Sequence, residues 1–514
     1  MLPDVSVIVP VYNTRRYLAE CLDSVLGQTI GRTNVQIVAV DDGSTDGSGE
    51  LLDEYASRFP DQVVVLHQAN SGGPAAPCNV GLEHATGRYV FFLGSDDYLG
   101  IEALERMVSK ADEWGTDVMC VRLIGTQGRV IPQELFAENQ PEIGFPDQRP
   151  FLTANTKLFR RELLEKHGIR YQENIAIASD QTFTIEAMYR AGRISVLGDY
   201  DYYYAVLRSE GGNLMFDPSW ERRLDSIDLT MDYVAELIDD PGLRDEVLYR
   251  HFRWEYSGRL KNLLEHDEVE QQRLLARVAY ATDRHFTDRI AAMMTVPGRL
   301  RLELARKGDL ESLVELCRVA DSDERPVRVV LPEGLHLRYP GFGKAPRSWY
   351  AETMNVRGVI RRISPEVTDV MQTRSAVVVE ARAPIDPVSA PYLRVVLAPI
   401  VAGEKVAQGK PVTDDVPGTI VGAVDFTADG RMTASFASLD LRRAAHERFS
   451  LRLQVTAAGE RFDSAFNAPA RSNLGDLAVG RGTEIRLRTG PLGRVVLSRV
   501  AAERSSRLGF LSRR

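Results

Sequence analysis

The feature that most constrains this chain is a series of short apolar segments, each ending in polar residues and followed by a helical pattern. Val5–Val11 is almost purely apolar and rich in β-branched residues, which is typical of a strand buried on both faces of a parallel sheet. The alternation continues to Ile124 and predicts an α/β domain with right-handed crossovers. Because ligands of such sheets bind outside the carboxyl ends of the strands, those ends are where we expect site residues.

Changes in residue composition and in the pattern of apolar residues divide the chain into three predicted regions. Residues 1–215 form the α/β domain, residues 216–325 are helical and charged, and residues 326–514 hold strand-like runs separated by proline, glycine and aspartate clusters. The last region is predicted to be an all-β sandwich, with a role in oligomerisation or polymer binding. It ends in an arginine-rich segment from Arg471, which favours either contact with an anionic polymer or membrane surface, or a solvated face of a β domain.

Composition and charge narrow the functional class. The chain is 44% hydrophobic and 26% charged, as in globular proteins, and its net charge of −9 argues against a general nucleic-acid binder. Its four scattered cysteines are typical of free thiols in a reducing compartment. No signal-peptide pattern opens the chain, and no apolar run approaches the roughly 20 residues that span a bilayer. These features predict a cytoplasmic location, which still permits peripheral association with the inner membrane face.

Polar side chains follow three of the predicted strands and form candidate substrate contacts. The first strand leads through Pro10 to Tyr12, and the second ends in Asp41, whose carboxylate can accept hydrogen bonds from a uracil N3–H or from ribose hydroxyls. Asn70 precedes a Gly-Gly-Pro loop that permits close approach to a ligand, and Asn79 in the following helix is a candidate for base or ribose contact. The alternative for each is a structural turn or helix start.

A further acidic cluster and two later residues are candidates for the chemistry. Ser95 and Asp96 follow a buried strand, and Asp96 is the candidate ligand for Mg²⁺ or Mn²⁺, which take carboxylate and phosphate oxygens. Asp180 is either a general base or the N-cap of a helix. Arg208 follows a run of three tyrosines and is a candidate for diphosphate binding.

Taken in order, these motifs resemble those of inverting, GT-A type family-2 glycosyltransferases, over roughly residues 1–215. Further segments are similar to the branch of that family that attaches N-acetylglucosamine to the poly(ribitol phosphate) of wall teichoic acid. The family resemblance is carried by Ile8–Asn13, Asp41–Asp46, Ser95–Asp97 and Ser179–Asp180. The resemblance to the branch is carried by Asn70–Pro74, Thr156–Arg160, Asp180–Thr184, Arg193–Leu197 and Tyr202–Tyr204.

The resemblance implies an enzyme that uses a UDP-sugar, with UDP-N-acetylglucosamine as donor and an anionic polyol-phosphate polymer as acceptor. It implies Asp41 and Asn70 at the nucleotide, Asp96 at a Mn²⁺ or Mg²⁺ ion, and Asp180 as the base that activates an acceptor hydroxyl. Members of this branch also have a helical linker and a C-terminal β region that trimerises, so the resemblance implies a homotrimer.

Three positions depart from the family pattern and keep an alternative open. Gly94 stands where members usually carry the first acid of an Asp-x-Asp motif, Ser179 stands where an acid usually precedes the base, and Cys78 replaces an arginine. The alternative function is a catalytically weakened or inactive relative that binds a glycopolymer as a scaffold. A nucleotidyltransferase is less favoured, because no glycine-rich basic loop follows the first strand.

Overall fold

The chain folds into two compact units. They comprise Met1–Arg259 with Tyr280–Met293, and Leu260–Ala279 with Met294–Arg514. The boundaries predicted at residues 215 and 325 stay predictions. The computed structural model describes residues 2–147, 153–208, 219–320, 327–331, 334–340, 344–345, 365–373, 376–382, 389, 393–399, 419–426, 431–443, 448–457, 460–466, 476–480, 483–489 and 495–501. Much of the arginine-rich segment therefore lies outside the described residues.

The first unit is built on an eight-stranded sheet of order β3-β2-β1-β4-β9-β6-β10-β8. A smaller sheet of order β5-β11-β7 accompanies it. The strands of this unit are β1 Val5–Val11, β2 Val35–Asp41, β3 Val63–His67, β4 Tyr89–Phe92, β5 Tyr98–Leu99, β6 Val118–Val121, β7 Leu123–Thr126, β8 Gln140–Ile143, β9 Lys157–Arg160, β10 Ile194–Leu197 and β11 Tyr203–Val206.

Parallel pairing in the middle of the large sheet confirms the predicted α/β domain. Strand β1 runs parallel to both β2 and β4, and its apolar side chains are almost completely buried, so both of its faces are covered. Strand β9 was not predicted. It lies antiparallel between β4 and β6, and its four residues include Lys157 and Arg160, so it carries no long apolar run. The predicted strand Asp117–Ile124 divides into β6 in the large sheet and β7 in the small one.

Helices cover the sheet and continue beyond the α/β region. In the first helix, Leu18, Leu22 and Val25 are buried at helical spacing and form its core-facing side. The helices are α1 Arg15–Leu26, α2 Ser48–Arg58, α3 Ala75–His84, α4 Ala103–Trp114, α5 Arg161–His167, α6 Asp180–Arg190, α7 Trp220–Leu237, α8 Pro241–His251, α9 Ser257–Arg259, α10 Glu268–His285, α11 Asp288–Met293, α12 Val296–Arg306, α13 Leu310–Ala320 and α14 Ser438–Arg443. A π-helical turn, Phe252–Tyr256, joins α8 to α9, and short 3₁₀ turns span Arg32–Asn34, Glu134–Phe136 and Leu260–Glu265.

One glycine fixes how closely two loops approach at the carboxyl edge of the sheet. Gly43 has a φ of +75°, and a Cβ added there would lie 2.7 Å from the backbone nitrogen of Asn70. A side chain at this position would therefore be strained in its backbone and would also push the two loops apart. The glycine lets the turn after β2 pack directly against the loop that follows β3.

The second unit combines helices with strands that pair antiparallel throughout the described residues. Its helices, together with α7, α8, α9 and α11 of the first unit, confirm the predicted helical region, and its strands confirm the predicted all-β region. Its core includes Val377, Val395, Phe436 and Leu453, each completely buried. The strands are β12 Val327–Leu331, β13 Gly334–Arg338, β14 Glu366–Gln372, β15 Ala376–Arg382, β16 Leu393–Pro399, β17 Ile420–Phe426, β18 Arg431–Ala437, β19 Arg448–Ala457, β20 Glu460–Ala465, β21 Asp476–Gly480, β22 Thr483–Thr489 and β23 Val495–Ala501. Of the helices in the described part of the chain, none has the length and apolarity that crossing a membrane requires.

Candidate functional site

A cavity of about 490 Å³ opens where β1, β2 and β4 end. Six of the predicted site residues line it: Pro10, Tyr12, Asn70, Ser95, Asp96 and Arg208. The rest of its wall consists of Val11, Asp42, Gly72, Gly73, Pro74, Pro77 and Gly94. The sheet topology thus brings together residues that are nearly 200 positions apart in the sequence, at the edge where an α/β sheet binds its ligands.

The loop after β1 is tied to the loop after β2. Asn13 accepts a hydrogen bond from the Thr45 N–H at 2.8 Å through its side-chain oxygen, and its own N–H donates to Ser44 Oγ at 3.0 Å. Its φ of +50° is in the left-handed region, which asparagine tolerates better than most residues. These bonds fix the backbone beside Tyr12, whose side chain remains half exposed on the cavity wall.

The two carboxylates that follow β2 point in different directions. Asp41 does not line the cavity; it accepts a hydrogen bond from the Ser44 N–H and bonds to His67 Nδ1, both at 3.0 Å. Burial raises the pKa of Asp41, but the bonds from Ser44 and His67 outweigh it and lower the pKa overall. Asp42 lines the cavity instead and accepts bonds from Ser71 Oγ at 2.9 Å and Gln68 Nε2 at 2.6 Å.

The two predicted asparagine contacts differ in their placement. Asn70 lines the cavity, donates to the Asp42 carbonyl at 3.1 Å and accepts from the Gly72 N–H at 3.1 Å. Asn79 is not among the residues that line this cavity or the one described below, and its contact with the base or ribose stays a prediction. Its amide group is used within the chain, bonding to both the carbonyl and the N–H of Tyr171 and to the Glu173 carboxylate.

The two carboxylates that follow β4 also point in different directions. Asp96 lies on the cavity wall and accepts a hydrogen bond from Arg208 Nε at 2.6 Å. Asp97 turns inward and accepts bonds from the Tyr203 hydroxyl at 2.5 Å and the Val206 N–H at 2.7 Å. Burial, with the added charge of Asp96, raises the pKa of Asp97 to about 7. Asp97 therefore holds Tyr203 and the Val206 backbone in place and lies, with Tyr203, on the wall of the second cavity described below, whereas Asp96 lines the first cavity.

A second cavity, of about 590 Å³, adjoins the first and shares Pro10, Pro74 and Gly94 with it. Asp180 lies on its wall, at the first residue of α6, where its carboxylate accepts a bond from the Asn155 N–H at 3.4 Å. Burial raises the pKa of Asp180, although the Asn155 N–H and the charge of Lys157 oppose this shift. A carboxylate with a raised pKa is a stronger base than an exposed one.

The loop that carries Asp180 is held by a helix that sequence analysis placed in the predicted linker. Ala178 has a φ of +59°, an uncommon conformation for a residue with a Cβ, and such strain is concentrated at functional sites. The Ile177 N–H donates to Ser226 Oγ on α7 at 3.1 Å, within the buried interior. Helix α8 and the π-helical turn also line the second cavity, through Arg250 and Trp254.

Sequence reasoning missed these contributions from α7, α8 and the π-helical turn. Their residues occur in an ordinary amphipathic helical pattern, which predicts that charged side chains lie on the solvent-exposed face of the helix. A π-helical turn leaves no spacing signal in a single sequence, although such turns are often found at functional sites. No motif could therefore have indicated them.

Comparison with known proteins agrees with this geometry. The family described as "Glycosyl transferase family 2" matches residues 6–168, and the "Glycosyl transferase TarS linker domain" matches residues 222–317. The glycosyltransferase GlyG of Streptococcus pneumoniae is 30% identical over 249 residues, which cover 42% of this chain and 76% of that protein. The chain belongs to glycosyltransferase family 2.

Two further relatives of the chain have names that specify the reaction. The poly(ribitol-phosphate) beta-glucosyltransferase of Bacillus spizizenii is 40% identical over 205 residues, and the poly(ribitol-phosphate) beta-N-acetylglucosaminyltransferase TarS of Staphylococcus aureus is 40% identical over 204. Each match covers 40% of this chain. It covers 32% of the first relative and 35% of the second, so the chain spans about a third of their length.

Solved structures extend the likeness beyond the family-2 region. Residues 1–349 of S. aureus TarS in complex with UDP-GlcNAc match with a TM-score of 0.59 and 29% identity, over 65% of this chain and 97% of that one. A longer S. aureus TarS structure matches with a TM-score of 0.59 over 97% of this chain and 85% of that one. Its identity is 22%, so that likeness concerns the fold alone.

Proposed function

We propose that this family-2 protein is an inverting glycosyltransferase that moves N-acetylglucosamine from a UDP-sugar to a hydroxyl of a cell-wall polyol-phosphate polymer. The observation that carries the proposal is the pair of adjoining cavities. One presents Tyr12, Asn70 and an Asp96–Arg208 ion pair, and the other presents the buried carboxylate of Asp180. The names of the TarS-like relatives support the choice of donor and acceptor.

The first cavity suits a nucleoside diphosphate. Tyr12 offers an exposed aromatic face against which a uracil ring can pack, and Asn70 is fixed beside it by its two bonds to the chain. Arg208 provides a guanidinium group, whose planar geometry matches phosphate oxygens. In this proposal Asp41 acts through the loop it supports, because it lies off the cavity wall.

The donor set fits a hard divalent cation that is completed by substrate oxygens. The described residues contain no cluster of three or more His, Cys, Asp or Glu side chains that could hold a metal ion. The first cavity is lined by two carboxylates, Asp42 and Asp96, of which Asp96 is the proposed ligand. Mg²⁺ is usually held by one or two carboxylates together with substrate phosphates, which this arrangement satisfies. When bound, such an ion neutralises negative charge on a leaving diphosphate.

Asp180 is proposed as the base that removes the proton from the acceptor hydroxyl. The activated oxygen attacks the anomeric carbon from the face opposite the leaving diphosphate, so the configuration inverts. Only the ionised carboxylate can accept the proton, and burial raises its pKa. Transfer should therefore decline as the pH falls through that raised pKa, at a higher pH than an exposed aspartate would give.

The direct test measures UDP release from a panel of UDP-sugars with polyol-phosphate acceptors, in Mn²⁺ or EDTA. We expect one donor to be turned over in a metal-dependent manner. Asp180→Asn should fold normally and lose transfer by roughly 100-fold or more, while UDP binding persists. Asp61→Asn, a change of an exposed acid that lines neither cavity, is the matched control. Full activity in Asp180→Asn would exclude this base.

One observation favours a second candidate function, a scaffold that binds glycopolymer without turnover. Gly94 and Ser179 stand at two positions where acids are common in the family, so the cavities hold fewer carboxylates. Under this alternative the protein binds UDP and polymer in titrations, yet releases no UDP from any donor under any metal condition. Turnover of a single donor removes it.

Cellular location and assembly belong to the same proposal. A UDP-sugar donor is consistent with action in the cytoplasm or at the inner membrane face, and the proposed homotrimer is the assembly that the sequence resemblance implies. Light scattering on the full chain, combined with flotation on vesicles that contain anionic lipids, tests both. A monomer that does not bind vesicles would contradict both the homotrimer and the association with the membrane.

A further inference from the structure

Helices α7 and α8 and the π-helical turn form part of the wall of the second cavity. Their side chains on this wall include charged groups that the proposed reaction does not use. Glu255 and Arg223 form a two-point ion pair, with Nε to Oε2 at 2.8 Å and Nη2 to Oε1 at 2.9 Å. The Glu255 carboxylate is thus already neutralised by Arg223. Arg250, on the same wall, has no ion pair with any carboxylate of the described residues.

Arg250 has an unusual local environment for an arginine. Its Nη1 atom is buried and has no hydrogen-bond partner among the described residues. A buried donor left without a partner costs free energy, and the cost is larger when the group is charged. A guanidinium carries hydrogen-bond donors and no acceptor, so the complementary group is an acceptor, and an oxyanion matches it best.

Three oxygen atoms on the same cavity wall share this condition. Thr156 Oγ1, Ser179 Oγ and Gln181 Oε1 are buried and have no hydrogen-bond partner among the described residues. Ser179 is 1% exposed. An amide oxygen accepts hydrogen bonds, whereas a hydroxyl both donates and accepts them. A ligand that satisfies all four side chains must therefore present an acceptor to Arg250 and a donor to Gln181, and an oxyanion beside hydroxyl groups meets both requirements.

The residue at position 179 determines the charge of this wall. An acid there would add a carboxylate to the cavity that Arg250 lines, and it would compete with a bound anion. Ser179 provides a neutral hydroxyl instead. Since Asp97 is engaged by Tyr203 and Glu255 by Arg223, Asp180 is the remaining carboxylate among the residues that line this cavity.

We propose that Arg250, together with Thr156, Ser179 and Gln181, forms a subsite for an oxyanion flanked by hydroxyl groups, and that Ser179 makes the subsite selective for charged ligands. This proposal rests on the proposed function and specifies which part of a substrate the second cavity recognises. Two sources share the required chemistry. One is the phosphodiester of a polyol-phosphate acceptor, and the other is the carboxylate of a uronic-acid donor sugar.

The first experiment compares charged and neutral substrates in wild type and in Arg250→Met, Arg250→Lys and Ser179→Glu. The acceptor arm pairs UDP-N-acetylglucosamine with a ribitol-phosphate oligomer or with neutral ribitol. The donor arm compares UDP-glucuronic acid with UDP-glucose. We expect Arg250→Met and Ser179→Glu to raise KM for the charged substrate of one arm by roughly tenfold or more. The KM of its neutral counterpart should change little, and Arg250→Lys should retain part of the preference.

Arg244→Met on the same helix is the matched control, because it removes a cation that lies outside the cavity wall. Thermal unfolding of every variant checks the fold. Equal losses for charged and neutral substrates in Arg250→Met would overturn the subsite, as would an unchanged KM in both arms.

A binding measurement separates this proposal from the proposed function. Ribitol-phosphate oligomer and glucuronic acid are titrated into wild type and Arg250→Met, with UDP titrated in parallel. Weaker binding of one anionic ligand with unchanged UDP binding supports the subsite, even where no donor is turned over. Turnover in wild type with identical ligand binding in Arg250→Met rejects the subsite and leaves the transferase standing. Absence of turnover with every donor rejects the transferase, whatever Arg250→Met does.

Discussion

The two acidic pairs at the sheet edge look alike in sequence and differ in structure. After β2, the second carboxylate, Asp42, lines the first cavity and the first, Asp41, turns away. After β4 the order is reversed, because Asp96 lines the first cavity and Asp97 turns away from it, toward Tyr203 on the wall of the second cavity. The pKa of Asp41 is lowered, whereas that of Asp97 is raised to about 7. At neutral pH Asp41 is therefore charged, whereas Asp97 is partly protonated.

Neighbouring groups account for the difference. Asp41 bonds to His67, a residue that can carry positive charge, and to the backbone N–H of Ser44. Asp97 receives its bonds from a tyrosine hydroxyl and a backbone N–H, has no cationic hydrogen-bond partner among the described residues, and lies beside another carboxylate, Asp96. Burial and a like charge raise a carboxyl pKa, while donors and cations lower it. Two adjacent aspartates in a sequence therefore do not specify which carboxylate faces a cavity, nor whether its pKa is raised or lowered.

The largest effect is expected when the outward carboxylate of the second pair is removed. Asp96→Ala should reduce UDP-sugar turnover by roughly 100-fold, because it removes the carboxylate that pairs with Arg208 and faces the ligand space. Its free energy of unfolding should change little. Steady-state kinetics and urea denaturation measure the two quantities. Near-normal turnover in this variant would mean that the outward position has no catalytic significance.

Removal of the inward carboxylate should give the opposite profile. Asp97→Ala leaves the Tyr203 hydroxyl and the Val206 N–H without their acceptor in a buried site. We expect a loss of about 2 kcal/mol in the free energy of unfolding. Urea denaturation at neutral pH checks this value, with Asp96→Ala as the matched variant. Equal stability of the two variants would abolish the distinction between inner and outer groups.

A smaller effect is expected at Gly94, the neighbour of the second pair. A Cβ at this position would lie 2.8 Å from Asp97 Oδ2 and 3.3 Å from the Tyr203 hydroxyl oxygen. Gly94→Ala should therefore displace the Asp97 carboxylate and reduce the free energy of unfolding by about 1 kcal/mol. Gly144→Ala, where a Cβ would have open space, is the control. A fully stable Gly94→Ala would show that the inward carboxylate has room to adjust.

The smallest effect concerns the first pair and depends on pH. The bonds with Asp41 and Asp53 raise the pKa of His67, so its contribution to stability is complete below its ordinary pKa of about 6.5 and is lost as the pH rises through the raised value. Asp41, with a lowered pKa, contributes above its ordinary value of about 3.9 and loses that contribution as the pH falls through the lowered one.

The His67–Asp41 contribution is therefore greatest between these two values. At about pH 5.5, His67→Ala should lower the free energy of unfolding by about 0.5 kcal/mol, a small figure because the imidazole is half exposed. The deficit should shrink above neutral pH. Denaturation curves at several pH values measure it, with His84→Ala as the matched variant. A deficit that does not vary with pH would exclude a charged pair.

Much of the first unit could be predicted from local pattern. The apolar runs at β1, β2 and β4 have one interpretation, because a strand buried on both faces must be apolar along its length. Strand β9 escaped prediction because Lys157 is itself buried there, donating a hydrogen bond to the Ala154 carbonyl. A charged residue in a sheet interior has no periodic signal, and its burial depends on partners supplied by distant segments.

The site residues likewise divide into those that a local motif indicates and those that depend on contacts between distant segments. The strand-end motifs indicated that Pro10, Asn70 and Asp96 lie together, since the carboxyl ends of neighbouring parallel strands meet at one edge, and all three line the first cavity. The bond of Asn79 to Tyr171 could not be foreseen, because it forms across 92 positions of the chain. Arg250 was missed altogether, since its helical surroundings gave no sign that the side chain would line a cavity.

The sequence by itself determined that this chain has an α/β domain with polar strand ends at one edge, followed by helical and all-β regions. Those features follow from local rules: the period of apolar residues, the conformations that glycine and proline permit, and the right-handed crossover. The tertiary structure alone decided which aspartate of each pair faces the cavity, and which helices line the second cavity beside Asp180. Both depend on burial and hydrogen bonds between segments far apart in the chain, and such contacts are not encoded in the spacing of any one motif.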